Sequence, residues 1–135
     1  MKRYLLDTGI ASDYINRRRG VFERACDAAS AGRLGIATVV LGELLAGIEL
    51  SESRDRNLAR LHRQLKSFFV WPFANAAAFA YGRIYADLQR RGRLITPNDM
   101  QIAAIATTLN DTTIVTKDSD FTAIPGLTIV DWSKP

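Results

Sequence analysis

Five short apolar or β-branched runs alternate with longer stretches of helical apolar spacing, and this alternation constrains the fold more than any other feature. The runs are Tyr4-Leu5-Leu6, Gly35-Ile36-Ala37, Phe68-Phe69-Val70-Trp71, Thr113-Ile114-Val115-Thr116 and Thr128-Ile129-Val130. Strands separated by helices pair through crossovers, so they run parallel and are buried on both faces. The pattern predicts an α/β fold, a three-layer sandwich around a central parallel sheet of about five strands.

Helices are predicted over 10–17 and 21–31, broken at the Arg17-Arg18-Arg19-Gly20 turn, and from an N-cap at Thr38 through Leu50. Two more span 52–66, with Leu58, Leu61 and Leu65 on one stripe, and 75–90, with Phe79, Ile84 and Leu88 at apolar positions. The clearest helix start is Thr96-Pro97-Asn98-Asp99. Thr96 is the cap, Pro97 the first helical residue and Asp99 the third, and the helix runs to about Leu109.

No linker or repeat divides the 135 residues, so one domain, 1–135, is expected. Cys26 is the only cysteine, which excludes an intrachain disulfide, fits a reducing cytoplasm and suggests a small buried residue. After Met1-Lys2-Arg3 the apolar run is only Tyr4-Leu5-Leu6 before Asp7, too short for a signal core or a membrane span. Lys and Arg number 18 against 14 Asp and Glu, a net charge of +4, which is compatible with a polyanionic partner and with an ordinary soluble protein.

The acids sort by position. Asp13, Glu23, Asp27, Glu52, Asp55 and Asp87 read as surface charges on polar helix faces or near helix starts. Asp7 ends an apolar strand, where ligands bind in α/β sheets, and equally suits a helix cap. Glu43 lies off the Val40, Leu41, Leu44, Leu45, Ile48 stripe with Val39, Ala46 and Gly47 around it. Such surroundings suit a carboxylate facing a crevice, or an edge residue reaching solvent. Asp99 shares a helical face with Ile102, Ala103 and Ala106, and as the third helical residue it also has a capping role. Asp118 and Asp120 follow the fourth strand, where turn chemistry is the competing explanation. Asp131 reads as packing and capping.

Strand ends and helix starts of a parallel sheet meet at one edge. Carboxylates gathered there raise each other's pKa unless a cation is bound. Oxygen donors alone select a hard ion, Mg²⁺ or Mn²⁺, and such a site suits phosphodiester hydrolysis.

The ordered motifs resemble those of PIN-domain endoribonucleases, specifically VapC-type toxins of type II toxin–antitoxin modules. They are Leu5-Leu6-Asp7-Thr8, Val40-Leu41-Gly42-Glu43-Leu44 with Gly47, Pro97-Asn98-Asp99 leading into Ile102-Ala103-Ala104, Ile114 to Phe121, and Pro125-Gly126-Leu127 with Asp131-Trp132. The resemblance implies a PIN-like fold and a Mg²⁺-dependent RNase acting on structured RNA. Asp7 and Asp99 match the acids that hold the metal most directly. Glu43 matches the acid that completes the site and helps position or deprotonate water. Asp118 matches the acid of the strand-four loop, a role that Asp120 shares or takes in some relatives. Thr8 and Thr116 resemble hydroxyls that support those acids. Gly9 departs from the Asn common in the family. The resemblance further implies a homodimer neutralised by a cognate antitoxin, whose tail can place a basic side chain in the acidic pocket.

An acidic pocket repels RNA, so basic residues are needed at its rim. Arg17, Arg18 and Arg19, and Arg90, Arg91 and Arg93, adjoin site-bearing segments and are candidate phosphate contacts, or else solvated charge runs. His62 is the only histidine. It reads as packing beside the leucine stripe, and its solitude disfavours a zinc site. Two other functions compete: a metal-dependent phosphatase or phosphoacceptor domain, and a non-catalytic PIN-fold binding module. A haloacid-dehalogenase-type phosphatase wants a second Asp two residues after the first, where this chain has Gly9. A receiver domain wants adjacent acids near its first strand, and Asp7 stands alone.

Overall fold

The computed structural model describes residues 1–135. In chain order the elements are β1 (Lys2–Leu6), α1 (Thr8–Ile15), α2 (Val21–Ala29), β2 (Gly32–Ala37), α3 (Thr38–Glu49), α4 (Arg54–Leu65), β3 (Phe69–Trp71), α5 (Asn75–Arg90), α6 (Pro97–Thr108), β4 (Thr112–Val115), a 3₁₀ turn (Ser119–Ala123) and β5 (Thr128–Val130). The five strands form one sheet in the order β3-β2-β1-β4-β5, and every pairing is parallel. This is the α/β sandwich that the alternation predicts.

The strand order decides where a ligand can sit. From β1 the chain steps outward to β2 and β3, then returns across the sheet to β4 and β5. The reversal falls between β1 and β4, whose last residues pair as Leu6↔Val115. In open parallel sheets the crevice at such a reversal, beyond the carboxyl ends of the strands, is where ligands bind. Asp7 follows directly on one strand and Thr116 on the other. The backbone N–H of Asp7 donates to the carbonyl of Val115 at 3.1 Å.

The core packs directly behind that edge. Leu5, Leu6, Ile36, Ile114 and Val115 are sealed inside the sheet, with Ile102 and Ile105 of α6 also buried. At Gly35 the edge strand β3 comes so close that a Cβ would collide with the Trp71 ring and the Phe69 carbonyl oxygen. Only glycine permits this approach.

Several expectations are corrected. β2 starts at Gly32, three residues ahead of its apolar run, and α4 starts at Arg54. Ala37 caps α3 and Thr38 is its first helical residue. Cys26 is exposed, because it lies about 100° around the helix from buried Ala25. His62 is exposed for the same reason, one position past buried Leu61. Phe79 stands 74% exposed on α5, whose buried face is carried by Ala77, Ala80 and Leu88.

The largest correction is Asp13, expected at the surface and found buried on the inner face of α1 with Ile10, Ala11 and Tyr14. Its Oδ1 accepts from Arg19 Nη1 at 2.9 Å and its Oδ2 from Lys117 Nζ at 3.0 Å. The turn after α1 is shaped for this. Arg17 and Arg19 both adopt left-handed backbone (φ 54° and 57°), and the Arg18 N–H donates to the Asp13 carbonyl at 2.8 Å. Left-handed backbone is strained for a side-chain-bearing residue, and here it turns the Arg19 guanidinium back onto the buried carboxylate.

Candidate active site

Asp7 leaves β1 in extended backbone and becomes the N-cap of α1. Its Oδ1 accepts from the Ile10 N–H at 3.0 Å, and its Oδ2 accepts from the Thr116 hydroxyl. The cap reading holds through one oxygen, and the carboxylate also sits at the edge of the sheet where ligands bind in such folds. Burial pushes the Asp7 carboxyl above the usual carboxylate range. Hydrogen bonds from Thr116 and Ile10 and the charge of Lys117 oppose that shift, and the Asp118 charge adds to it.

Thr116 directly follows β4 and is almost fully buried. Its Oγ1 also accepts from the Asp118 N–H at 2.9 Å. Asp118 in turn caps the 3₁₀ turn, its Oδ1 accepting from the Asp120 N–H at 2.8 Å. Asp99 enters from the start of α6, where Thr96 Oγ1 accepts the Asp99 N–H at 3.2 Å and Pro97 occupies the first turn. Burial is the main cause that raises the Asp99 pKa. Thr96 lowers it, and Asp118, Asp7 and Glu43 each raise it further. Carboxylate oxygens of Asp99, Asp118 and Asp120 all lie within 4.8 Å of one another.

Glu43 sits on an exposed face of α3, and its Oε1 accepts from the Thr8 hydroxyl at 2.7 Å. Thr8 adjoins Asp7, so this bond ties the α3 acid to the β1 corner. A cleft of about 320 Å³ opens from Thr8 and Glu43 between α1, α3 and α4, passing Ser12, Asn16 and Gly47 to Arg60. The crevice expected beside Glu43 and Gly47 is this cleft.

Asp7, Glu43, Asp99, Asp118 and Asp120 thus come from four segments to one edge. The donors are all oxygen, and the only histidine and cysteine are exposed on α4 and α2. The donor set fits a hard divalent cation, whose charge offsets both the burial that chiefly raises Asp7 and Asp99 and the lesser repulsion from neighbouring acids.

The arginine clusters are placed less centrally. Arg17, Arg18 and Arg19 follow the far end of α1, a helix about 12 Å long by its residue count, from Asp7 at its start. Arg17 stacks on the Phe22 ring at 3.4 Å, and Arg19 is engaged by Asp13. Arg91 pairs with Asp87 and with the Ala123 carbonyl, while Arg90 and Arg93 are exposed. The basic side chain that does adjoin Asp7 is Lys117. Its sequence signal was its place directly after the β4 segment, one residue before an acid of the cluster.

A PIN-domain model matches residues 4–127. The chain is 34% identical to the tRNA(fMet)-specific endonuclease VapC of Shigella flexneri, over 98% of this chain and all of the relative. It is 29% identical to the ribonuclease VapC2 of Rickettsia felis, over 97% and 98%. The structure superposes on VapBC from Salmonella typhimurium, solved bound to DNA, with a TM-score of 0.88 at 33% identity, covering 98% of this chain and 99% of that one. With a family model matched over residues 4–127 and relatives aligned over nearly the whole chain, the chain belongs to the PIN-domain family, among the VapC ribonucleases.

Proposed function

We propose that this chain is a Mg²⁺-dependent endoribonuclease toxin that cleaves structured RNA at the edge formed by Asp7, Glu43, Asp99 and Asp118, with Mn²⁺ able to substitute. The observation that carries the reading is the proximity of Asp99, Asp118 and Asp120 oxygens within 4.8 Å beside the Asp7 carboxylate. In the proposal Asp7 and Asp99 hold the cation. The ion supplies charge neutralisation at the scissile phosphate and a more acidic bound water.

The protein's own part is orientation and proton handling. Thr116 fixes Asp7 through one oxygen and Ile10 through the other, leaving the carboxylate little freedom to rotate. Glu43, steered by Thr8 and the more exposed acid, is the group suited to accept a proton from attacking water. Asp118 holds the 3₁₀ turn in place and presents its second oxygen, and Asp120 stands beside it as a further donor.

The same reading assigns a cognate antitoxin, a homodimer and a cytoplasmic setting. Solved relatives from Salmonella typhimurium and Rickettsia felis are VapBC structures bound to DNA. No helix is long and apolar enough to cross a membrane. The acidic edge is a natural receiver for a basic antitoxin side chain. The family match leaves the phosphatase and phosphoacceptor readings without support.

The test is cleavage by purified protein freed of antitoxin, with initiator tRNA as the first substrate because the Shigella relative is specific for it. Cutting in Mg²⁺ or Mn²⁺, arrest by EDTA, and loss of cutting in Asp7→Asn and Asp99→Asn are expected. Wild-type expression should arrest growth and the variants should not. Full activity in either variant removes the proposed site, and a harmless wild type that cuts no RNA favours the binding-module reading.

A further inference from the structure

Five carboxylates at one edge create a problem for a polyanionic substrate, because RNA must bring a phosphate into a region of the same sign. Some cation of the chain has to stand at that edge. Three arginines are held by carboxylates: Arg19 by Asp13, Arg91 by Asp87, and Arg54 by Glu49 and Asp55.

Lys117 differs. Its ammonium donates one hydrogen bond, to Asp13 Oδ2 at 3.0 Å, although an ammonium carries three donors. Its side chain is 38% exposed, while the Asp13 side chain beneath it is 3% exposed. Asp13 does not need Lys117 for neutrality, since Arg19 binds its other oxygen. The lysine also lies next to the reacting edge. A Cβ built on Gly9 would stand 3.8 Å from Lys117 Nζ and 3.8 Å from Asp7 Oδ1, so both groups border the space that Gly9 leaves open. That Cβ would already stand in van der Waals contact with the Lys117 Cε methylene, at 3.4 Å.

From this geometry we propose that Lys117 is a phosphate-contacting residue of the substrate site: anchored from below by buried Asp13, it presents its free N–H donors across Gly9 to a phosphodiester oxygen of RNA held beside Asp7. Asp13 acts through it, as a positioning residue. A lysine already held by a buried carboxylate loses little further freedom on meeting a phosphate, which favours contact at this point over contact with a free surface lysine. The inference rests on the RNase reading.

The experiment compares wild type, Lys117→Met and Lys117→Arg on one RNA, over a range of KCl. Methionine keeps the aliphatic stem against Gly9 and leaves Asp13 paired with Arg19. Steady-state cleavage gives KM and kcat, and fluorescence anisotropy in EDTA gives RNA affinity without metal. Lys117→Met should raise KM by about tenfold with kcat little changed, and make the negative slope of log(kcat/KM) against log[KCl] shallower by about one. Lys117→Arg should keep the wild-type slope. Asp13→Asn, if it folds, should raise KM while retaining the slope, since the charge remains but is no longer held. A lysine that only supports the fold would lower the melting temperature and leave the salt slope of Lys117→Met equal to wild type, and that result overturns the proposal. A wild type that cuts no RNA overturns the RNase reading instead, and this inference with it.

Discussion

The Thr116 hydroxyl donates to Asp7 Oδ2 while its oxygen accepts the N–H of Asp118, so one side chain links the end of β1 to the turn after β4. The two residues lie 109 positions apart in the chain. Thr116→Val keeps the shape and removes both bonds, leaving a half-buried carboxylate and a backbone donor without their partner. A loss of about 1–3 kcal/mol is expected, with a marked fall in kcat, because Asp7 is freed to rotate. Thr116→Ser should retain most of both. Urea denaturation and cleavage rates check the pair.

Asp7 and Asp99 both hold their protons to higher pH than ordinary carboxyls, chiefly through burial. The sign follows from linkage: a folded state that binds protons more tightly than the unfolded chain is favoured at low pH. The contribution of these two groups is fully present below about pH 4, the unfolded value, and is lost as pH rises through their raised values. Metal-free protein should therefore gain stability when the charge is removed. Asp99→Asn in EDTA at neutral pH should melt above wild type. Mn²⁺ should raise the wild-type melting temperature by several degrees and the variant's by far less, with the effect fading as pH falls and the carboxylates protonate. A melting curve for each, with and without metal, decides it. Equal metal response in both would mean Asp99 is not a ligand.

The sheet was legible because a strand buried on both faces leaves a continuous apolar run, and Tyr4-Leu5-Leu6 or Ile114-Val115 can be little else. Asp99 was legible because Thr96-Pro97 writes the helix start into the sequence. Phe79 was not, since helical spacing gives the phase of a stripe but not which side the neighbours cover. Asp13 escaped for a related reason. Its place among Ile10, Ala11 and Tyr14 marks the inner face, but an acid there is explicable only with its partners known. Arg19 is six residues away across a left-handed turn, and Lys117 is 104 residues away. The pairing that buries Asp13 is a property of the fold and not of any window.

In the sequence Asp118 and Asp120 compete for one role, and in the structure they are bonded differently. Asp118 commits Oδ1 to the Asp120 N–H, while the Asp120 carboxylate receives no side-chain or backbone donor. Asp118→Asn can still cap through its amide oxygen, so its effect should be confined to metal affinity and cleavage. Asp118→Ala should in addition loosen the 3₁₀ turn, at a cost of about 1 kcal/mol. Asp120→Asn should weaken Mn²⁺ binding without lowering metal-free stability. Calorimetric titration with Mn²⁺ beside thermal melts separates the two roles. If Asp120→Asn binds metal as wild type does, Asp120 only lies near the site.

Asp13 has two cationic partners on opposite oxygens, and this makes its network non-additive. Arg19→Ala alone leaves Lys117 in place, and Lys117→Met alone leaves Arg19, so each should cost about 1 kcal/mol or less, as expected of cations that are 53% and 38% exposed. Removing both leaves a charge at 3% exposure with no counterion, a state that costs about 3–5 kcal/mol when a buried pair is broken. The double variant should therefore be destabilised by more than the sum of the singles, and adding Asp13→Asn to it should recover part of the loss, because the unpaired charge is gone. Equilibrium unfolding of wild type and the four variants measures the coupling directly. Additive losses would mean that water or another group solvates Asp13, and that the two cations are independent surface contacts.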